Sequence, residues 1–429
     1  MQLIRFFRIQ LNSVTGLLSN TIWLLSAEFI AKVSRILTII VLAAQLSPTS
    51  YGTAMLALAF HDVFALLLRA GVGSQLINCK PQYLESFAKN GTFIQWGICI
   101  TIAIAQLSSA DFFASLYDND DVATLLKIMA VIYIFYPWVS VKISLLKREN
   151  KMRWFSIRNG LCVIIENVTI AIAALLGADI FAVALGKIIF SIFWLILFSF
   201  APVKSYGVGY KFSVISEMLK TSGKIFNTEF LRGMRIHADT FIAGKLLTPE
   251  LFGFYIFAKN AGVGLSQSIS QVYAGALYPY LCKLQREGLL SAQQNLINAL
   301  SLSIGLLFVI QALIAPIYVP ILFDEKWSSV IPIITILCLV ALPNLVIDIK
   351  CCFERATEQY HHETTTRLIC LLISLAALFI FSPNDPMEFA MVIFLSSLFC
   401  LIPIYIFSVV KPFKFNLRAV LNRSKPHER

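Results

Sequence analysis

The chain has 429 residues, of which 58% are hydrophobic and only 14% are charged, and its formal net charge is +11. Soluble domains carry about 25% charged residues, so this composition excludes a soluble protein. Because a membrane helix needs about 20 apolar residues, the length suits about twelve spans joined by short connections.

The chain begins with a segment, residues 1–19, that mixes two arginines with large apolar residues. It lacks the continuous apolar core and the cleavage site of a signal peptide, so we predict an interfacial amphipathic helix. Apolar runs bounded by charge, Pro or Gly then predict twelve membrane helices, since a β-barrel would show period-two alternation. These helices are expected at residues 20–46, 52–77, 89–107, 122–146, 157–176, 180–200, 218–246, 252–280, 295–321, 329–349, 368–381 and 387–410.

The connections between these spans differ in charge according to the side of the membrane. One set carries 24 of the 35 Lys and Arg residues, whereas the opposite set carries Lys326 alone. The positive-inside rule therefore places both termini in the cytoplasm. Topology and contact with anionic membrane lipids account for the net charge, so no nucleic-acid partner is expected. The nine cysteines fall in spans or cytoplasmic connections, which argues against disulfides, and we predict no metal site and no cofactor.

A short motif is repeated within the chain. The run Leu46–Gly52 (LSPTSYG) recurs as Leu247–Gly253 (LTPELFG), an offset that also aligns Glu28 with Glu229. Pro and Gly suit the tight outer turn between the first two helices of each half, although such turns also recur by chance. Six predicted crossings separate the copies, which indicates a parallel repeat. The predicted fold is an all-α integral membrane protein, and its parts are an N-terminal segment at 1–19, six-helix lobes at 20–200 and 218–410, a cytoplasmic linker at 201–217 and a basic tail at 411–429.

Several runs resemble a known family of transporters. They are Leu145–Phe155, Ala174–Gly186 and Ala238–Tyr255, together with Tyr278-Pro279 and Leu284-Gln285. These runs are similar to polysaccharide biosynthesis flippases, the O-antigen and exopolysaccharide transporters of the multidrug, oligosaccharidyl-lipid and polysaccharide exporter superfamily. The resemblance covers most of the chain, and its motifs contain no catalytic signature. Asp179 stands where the family commonly has Gly.

The resemblance implies a transporter of the bacterial inner membrane and not an enzyme. Its cargo would be an undecaprenyl-diphosphate-linked oligosaccharide, moved from the cytoplasmic to the periplasmic leaflet by alternating access. Other polysaccharide assembly proteins are candidate partners. The cargo cavity would lie between the lobes, lined mainly by the first, second, seventh and eighth helices.

Cations inside the spans test this implication independently. Ten Lys and Arg residues lie within spans, and seven of them are on the four helices named. A cation at the bilayer centre costs about 2.5 to 3.5 kcal/mol, so the six deepest would cost roughly 15 to 21 kcal/mol against lipid. They should instead face water, carboxylates or an anionic ligand. These six residues are Lys32, Arg35, Arg69, Arg232, Arg235 and Lys259.

Helical spacing predicts which polar side chains share a face. The predicted faces are Glu28, Lys32 and Arg35; Asp62 and Arg69; Glu229, Arg232, Arg235 and Asp239; and Asn260, Gln267 and Gln271, with Lys259 beside them. His237 should point elsewhere. Guanidinium groups bind phosphate oxygens bidentately and amides bond sugar hydroxyls, so these faces suit the cargo.

Structural alternatives stay open for the same residues. Glu28, Asp62, Glu229, His237 and Asp239 are candidates either for ion pairs or for ion coupling. The amide stripe could equally join helices by hydrogen bonds.

Glu166 is either a proton-titrating site or a partner of Lys187, and the sequence does not separate these roles.

Two other functions are alternatives to the flippase. A cation-coupled drug exporter of the same superfamily should favour an anionic, aromatic cavity. A membrane-embedded polysaccharide polymerase should carry a large outer loop with catalytic acids, but the predicted outer loops are short. The cations within the spans therefore favour the flippase over the drug exporter, and the short outer loops favour it over the polymerase.

Overall fold

The computed structural model describes residues 30–31, 33–69, 72–149, 151–287, 294–323, 325–357 and 359–402. All regular elements in these ranges are helical. The helices are α1 Val33–Gln45, α2 Pro48–Leu66, α3 Val72–Asn78, α4 Leu84–Tyr117, α5 Asp120–Met129, α6 Ile132–Phe135, α7 Pro137–Arg148, α8 Met152–Leu175, α9 Phe181–Ser199, α10 Phe212–Leu246, α11 Pro249–Ala261, α12 Val263–Glu287, α13 Gln294–Leu322, α14 Ile331–Ala356, α15 Tyr360–Phe381 and α16 Pro386–Phe399.

Many of these helices have the length and composition of membrane spans. Six continuous helical segments in the described part of the chain are long and apolar enough to cross a membrane. A seventh span follows if Asp120–Phe135 and Pro137–Arg148, which are bent by 58° at their junction, cross together. The predicted all-α membrane fold is confirmed, whereas the number of twelve spans and the division into two lobes remain predictions.

Within the described ranges, three of the predicted spans are interrupted. The second is broken after α2, where a short 3-10 helix covers Leu67–Arg69. The fourth bends before Pro137, which has no backbone N–H to continue the hydrogen-bond ladder. The eighth breaks at Gly262, whose φ of −92° and ψ of −88° are not helical. The breaks therefore fall inside segments that hydropathy predicts as single continuous spans.

The two copies of the repeated turn start their helices in the same way. Ser47 caps α2 by accepting a hydrogen bond from the backbone N–H of Ser50, and Thr248 caps α11 by accepting from Leu251. A proline follows each cap at the start of its helix, where its missing N–H is no loss. The two turns therefore share capping chemistry as well as sequence.

The helices that carry these turns pack against each other. α2 contacts α11 and α10, and α10 also contacts α4. Large aromatic side chains fill the shared core, among them Tyr51, Tyr255 and Phe257, all completely buried. We call this the outer end of the molecule, because the charge pattern predicts that the turns at 46–48, 117–119 and 247–248 face away from the cytoplasm.

Candidate functional site

A cavity of about 610 Å³ lies between α1, α2, α10, α11, α12 and α13. We call it the main cavity. Its volume falls in the range of roughly 300 to 1,000 Å³ that is usual for ligand sites. The charged and amide side chains that line it are Arg35, Asp62, Arg232, Lys259, Asn260, Gln267, Gln271 and Gln311. Three cations thus face a single carboxylate in the described wall.

The main cavity brings together six of the nine predicted binding residues. These six are Arg35, Arg232, Lys259, Asn260, Gln267 and Gln271. Arg235 lies instead in an adjoining pocket. Lys32 and Glu28 fall outside the described residues, and the side chains of Arg69 and Glu229 are also not described.

Arg35 and Asp62 face the main cavity from α1 and α2. Neither has a hydrogen bond or an ion pair to another side chain in the described ranges, and Arg35 is solvent-exposed. A guanidinium on a cavity wall without a carboxylate neighbour can take an anionic group bidentately. Arg35 is therefore the cation best placed for a ligand.

Lys259 has a different environment. Its ammonium donates to the carbonyl of Ile236 at 2.8 Å, to Asp239 Oδ1 at 2.7 Å and to Thr240 Oγ1 at 2.8 Å. All three of its donors are used on α10. Tyr255 completes the cluster by donating to Asp239 Oδ2 at 2.7 Å. The pair joins α11 to α10, so both Lys259 and Asp239 have structural partners.

A smaller pocket of about 100 Å³ adjoins the main cavity. We call it the side pocket, and both spaces share Arg232, Lys259, Gln267 and Gln271 in their walls. Arg235 enters the side pocket and donates to Asn344 Oδ1 at 2.6 Å, with no carboxylate within 4 Å among the described residues. The side pocket therefore extends the cationic wall away from the main cavity.

Two predictions about α10 were wrong in detail. His237 lines the main cavity, although its spacing placed it on another face. Arg235 was expected in the main cavity, but it lines the side pocket, where it still shares a face with Arg232 and Asp239 as predicted. The cause is geometric: two spaces flank α10, so polar residues over a wide arc of this helix reach one or the other.

Glu166 lies outside both spaces and forms an ion pair with Lys187. Their closest oxygen and nitrogen atoms are 2.8 Å apart, and both side chains are largely buried. The pair joins α8 to α9. Of the two roles left open by the sequence, the geometry favours the partner of Lys187.

Several polar residues near the site were not predicted. Asn344 and Asp348 on α14 and Arg367 on α15 line the side pocket, because α14 and α15 pack behind α12 and α10. Arg367 is buried and paired with Glu363 at 3.1 Å and with Asp348 at 3.7 Å. In the sequence, the signal that pointed to Arg367 was its position at the edge of an apolar run.

No cluster suited to a metal ion appears in the part of the chain that the structure describes. That part contains no group of three or more His, Cys, Asp or Glu side chains that could hold one.

Comparison with known sequences relates most of the chain to one family. Residues 41–332 match a family described as polysaccharide biosynthesis protein. The lipopolysaccharide biosynthesis protein WzxC of Escherichia coli K12 is 23% identical over 314 residues, 70% of this chain and 62% of WzxC. An uncharacterized membrane protein in the cps region of Klebsiella pneumoniae is 21% identical over 341 residues, which cover 77% of this chain and 69% of that protein.

Solved structures share the fold. An inward-facing multidrug resistance MATE transporter of the MOP superfamily superposes with a TM-score of 0.71 at 12% identity, covering 95% of this chain and all of its own. An outward-facing structure of such a transporter gives a TM-score of 0.65 at 12% identity, with coverages of 91% and 95%. The family match agrees with the predicted polysaccharide biosynthesis family, and the shared fold agrees with the predicted helical membrane fold. The chain belongs to the polysaccharide biosynthesis protein family.

Proposed function

We propose that this protein flips an undecaprenyl-diphosphate-linked oligosaccharide from the cytoplasmic to the periplasmic leaflet of the bacterial inner membrane. The product would serve the synthesis of a surface polysaccharide such as O-antigen, capsule or exopolysaccharide. Family membership supports the pathway. The observation that carries the proposal is the guanidinium of Arg35 on the wall of the main cavity, which has no ion pair to a described side chain. Arg232 and Lys259 line the same wall, and Asp62 is the one carboxylate among its described lining residues.

The wall chemistry matches the two polar parts of such a cargo. A diphosphate presents several oxygens with negative charge, and charge-assisted hydrogen bonds from guanidinium groups are the strongest that a protein can offer them. The amides of Asn260, Gln267 and Gln271 supply both donors and acceptors, which suits sugar hydroxyl groups. Arg35 is assigned to the diphosphate because other described side chains leave its guanidinium unoccupied.

Burial in the main cavity would strengthen these contacts. Hydrogen bonds are electrostatically stronger at low local dielectric than in water. Apolar residues such as Ile39, Leu58 and Ile256 also line the cavity and lower its polarity. A polar head bound there would be held away from the hydrocarbon of the bilayer while it crosses.

The transport cycle would follow alternating access. In this proposal the helices before the linker at 201–217 form one lobe, and those after it form the other. The main cavity lies between helices of both parts, so rocking one against the other would expose the bound head to each side in turn.

A leaflet assay tests the proposed function. The gene is deleted in its host, and a fluorescent lectin measures the lipid-linked oligosaccharide on spheroplasts and on inverted inner-membrane vesicles. We expect accumulation on the cytoplasmic leaflet, which the wild-type chain reverses and Arg35→Ala does not.

Arg158→Ala is the matched control. Arg158 stacks on the Trp154 ring at 3.7 Å and lines neither described pocket, so its loss should leave flipping intact. Normal oligosaccharide on the periplasmic leaflet of the deletion strain would refute the flippase. Increased drug sensitivity in that strain would then favour the multidrug exporter to which the fold is also related.

A further inference from the structure

The two repeated turns contact each other at the outer end. A Cβ atom placed on Gly52 would lie 3.2 Å from Gly253 Cα, and one on Gly253 would overlap the carbonyl oxygen of Pro48. Only glycine permits so close an approach of α2 and α11. The same motif therefore supplies both faces of one helix contact.

A lysine and a tryptophan add a second contact across the same boundary. Lys326 donates to the carbonyls of Ala44 and Leu46, each at 3.1 Å, and Trp327 Nε1 donates to the carbonyl of Ala43 at 2.9 Å. These carbonyls lie at the C-terminus of α1 and in the turn that follows it. Carbonyls at a helix C-terminus lack partners within the helix and carry partial negative charge, so a lysine suits them.

A third contact repeats this chemistry on another helix. Lys245, at the end of α10, donates to the carbonyl of Leu116 at 2.7 Å, near the C-terminus of α4. Tyr117 in turn donates to the carbonyl of Phe241 at 2.9 Å. Here too, a lysine that follows the linker in sequence donates to a carbonyl near the C-terminus of a helix that precedes the linker.

Aromatic side chains close the space beneath these contacts. Tyr51, Phe257 and Trp327 are completely buried. The Trp327 and Phe257 rings stack with centroids 3.9 Å apart, and Tyr51 meets both edge to face at 5.8 Å. Asn260, which lines the main cavity, donates to the Tyr51 hydroxyl at 3.0 Å. This hydrogen bond joins the cavity wall to the aromatic cluster.

We propose that these contacts form an outer latch, a gate that keeps the main cavity closed toward the outside and separates when cargo is released there. The latch comprises the two glycine turns, the lysine contacts of Lys245 and Lys326, and the cluster of Tyr51, Phe257 and Trp327. Its role rests on the proposed alternating access. The latch also explains why Lys326 lies in the set of connections that otherwise lacks cations, because its ammonium group binds the carbonyls at the C-terminus of α1.

The latch gives cargo a route to influence the gate. A sugar hydroxyl or phosphate oxygen that draws the Asn260 amide toward the cavity would break its hydrogen bond to the Tyr51 hydroxyl. Binding in the main cavity would therefore remove one contact of the closed state and shift the population toward opening. A ligand can shift such an equilibrium only through this kind of differential contact.

Accessibility of the cavity tests the latch without any cargo. Met55 lines the main cavity, so Met55→Cys introduces a reporter thiol. A membrane-impermeant maleimide is added to spheroplasts or to inverted vesicles, and the chain with its nine native cysteines alone gives the background. With the latch intact, we expect slow labelling of the reporter in spheroplasts.

Two variants should open the latch. Lys326→Gln removes charge-assisted hydrogen bonds, and we expect spheroplast labelling to rise about tenfold. Gly253→Ala forces α11 away from Pro48 and should act in the same direction. Because Gly253→Ala could impair insertion, the amount of chain in the membrane is measured for each variant, and Lys326→Gln alone suffices for the test.

Matched controls separate the latch from general loosening. Lys127→Gln removes an outer-end lysine that pairs with Asp111 of the adjacent α4, and Gly97→Ala adds a methyl group with no neighbour within 4 Å. Both should label as slowly as the parent. Fast spheroplast labelling of the parent, unchanged labelling in Lys326→Gln, or an equal rise in the controls would overturn the latch. A failed leaflet assay would instead refute the proposed cargo and leave the labelling result standing.

Discussion

The lysines of the outer end and Arg35 in the main cavity have opposite surroundings. Lys245 and Lys326 reach across to backbone carbonyls of the other part of the chain. Arg35, in contrast, faces an open cavity with no described side chain bonded to it. The difference teaches that bonding partners, rather than charge or depth in the membrane, separate a structural cation from a binding one.

Lys259 shows why this distinction matters. It lies in the cavity wall like Arg35, yet its donors are all used on α10. Judged by its hydrogen-bond partners, Lys259 belongs with the structural lysines of the outer end. The comparison therefore predicts that Lys259 and Arg35 fail in different ways when they are changed.

The largest effect should follow from breaking the Lys259–Asp239 pair. Asp239→Ala leaves the ammonium of Lys259 largely buried without its carboxylate, which costs about 3 to 5 kcal/mol in comparable pairs. We expect a lower thermal unfolding midpoint in detergent and less protein in the membrane. The double variant with Lys259→Met should recover much of this loss, because it removes the unpaired charge. A stable single variant would contradict a structural role for the pair.

Arg35 should affect transport and not stability. Arg35→Ala removes charge-assisted hydrogen bonds worth about 1.5 to 3 kcal/mol, or roughly ten- to hundredfold in transport rate at limiting cargo. The unfolding midpoint should stay near that of the parent, since no described side chain loses a partner. The measurement pairs the lectin assay with thermal unfolding of the same preparation. A large fall in stability would place Arg35 with the structural cations.

Loss of the hydrogen bond between Asn260 in the cavity wall and Tyr51 in the outer latch should have an effect of intermediate size. Tyr51→Phe removes the hydroxyl that accepts from Asn260 while keeping the buried ring. A neutral hydrogen bond is worth about 0.5 to 1.5 kcal/mol, so reporter labelling from the outside should rise about twofold to tenfold. Labelling of Met55→Cys in spheroplasts measures it, and Tyr210→Phe, an exposed position far along the chain, serves as the control. Slower labelling would mean that Asn260 does not hold the latch closed.

Much of the fold was predictable because local composition determines it. The predicted spans at 157–176 and 180–200 nearly coincide with α8 and α9, since charged or glycine-containing turns bound each apolar run. The break at Gly262 was not predictable, because it depends on close approach to neighbours. A Cβ there would lie 3.1 Å from the carbonyl of Ile334 on α14, a contact that no hydropathy pattern encodes.

The site was predictable to the level of helix faces. Asn260 and Gln267 were expected on one stripe and both line the main cavity, although α11 ends between them. Which cations have partners was not predictable. The carboxylate of Asp239 lies on a different helix from Lys259, so their 2.7 Å contact follows from tertiary packing and not from spacing along one helix.

The smallest effect should come from Lys127, and it tests the comparison most directly. Lys127 is a lysine at the outer end whose partner Asp111 lies 2.5 Å away, but both side chains are well exposed and both precede the linker. Exposed ion pairs contribute about 0 to 1 kcal/mol. Lys127→Gln should therefore leave the unfolding midpoint, flipping and reporter labelling close to those of the parent. If it loosened the outer end as much as Lys326→Gln does, outer charge in general would control the gate. If only Lys326→Gln speeds reporter labelling, a cation at the outer end controls the gate through its hydrogen bonds to backbone carbonyls of the other part of the chain.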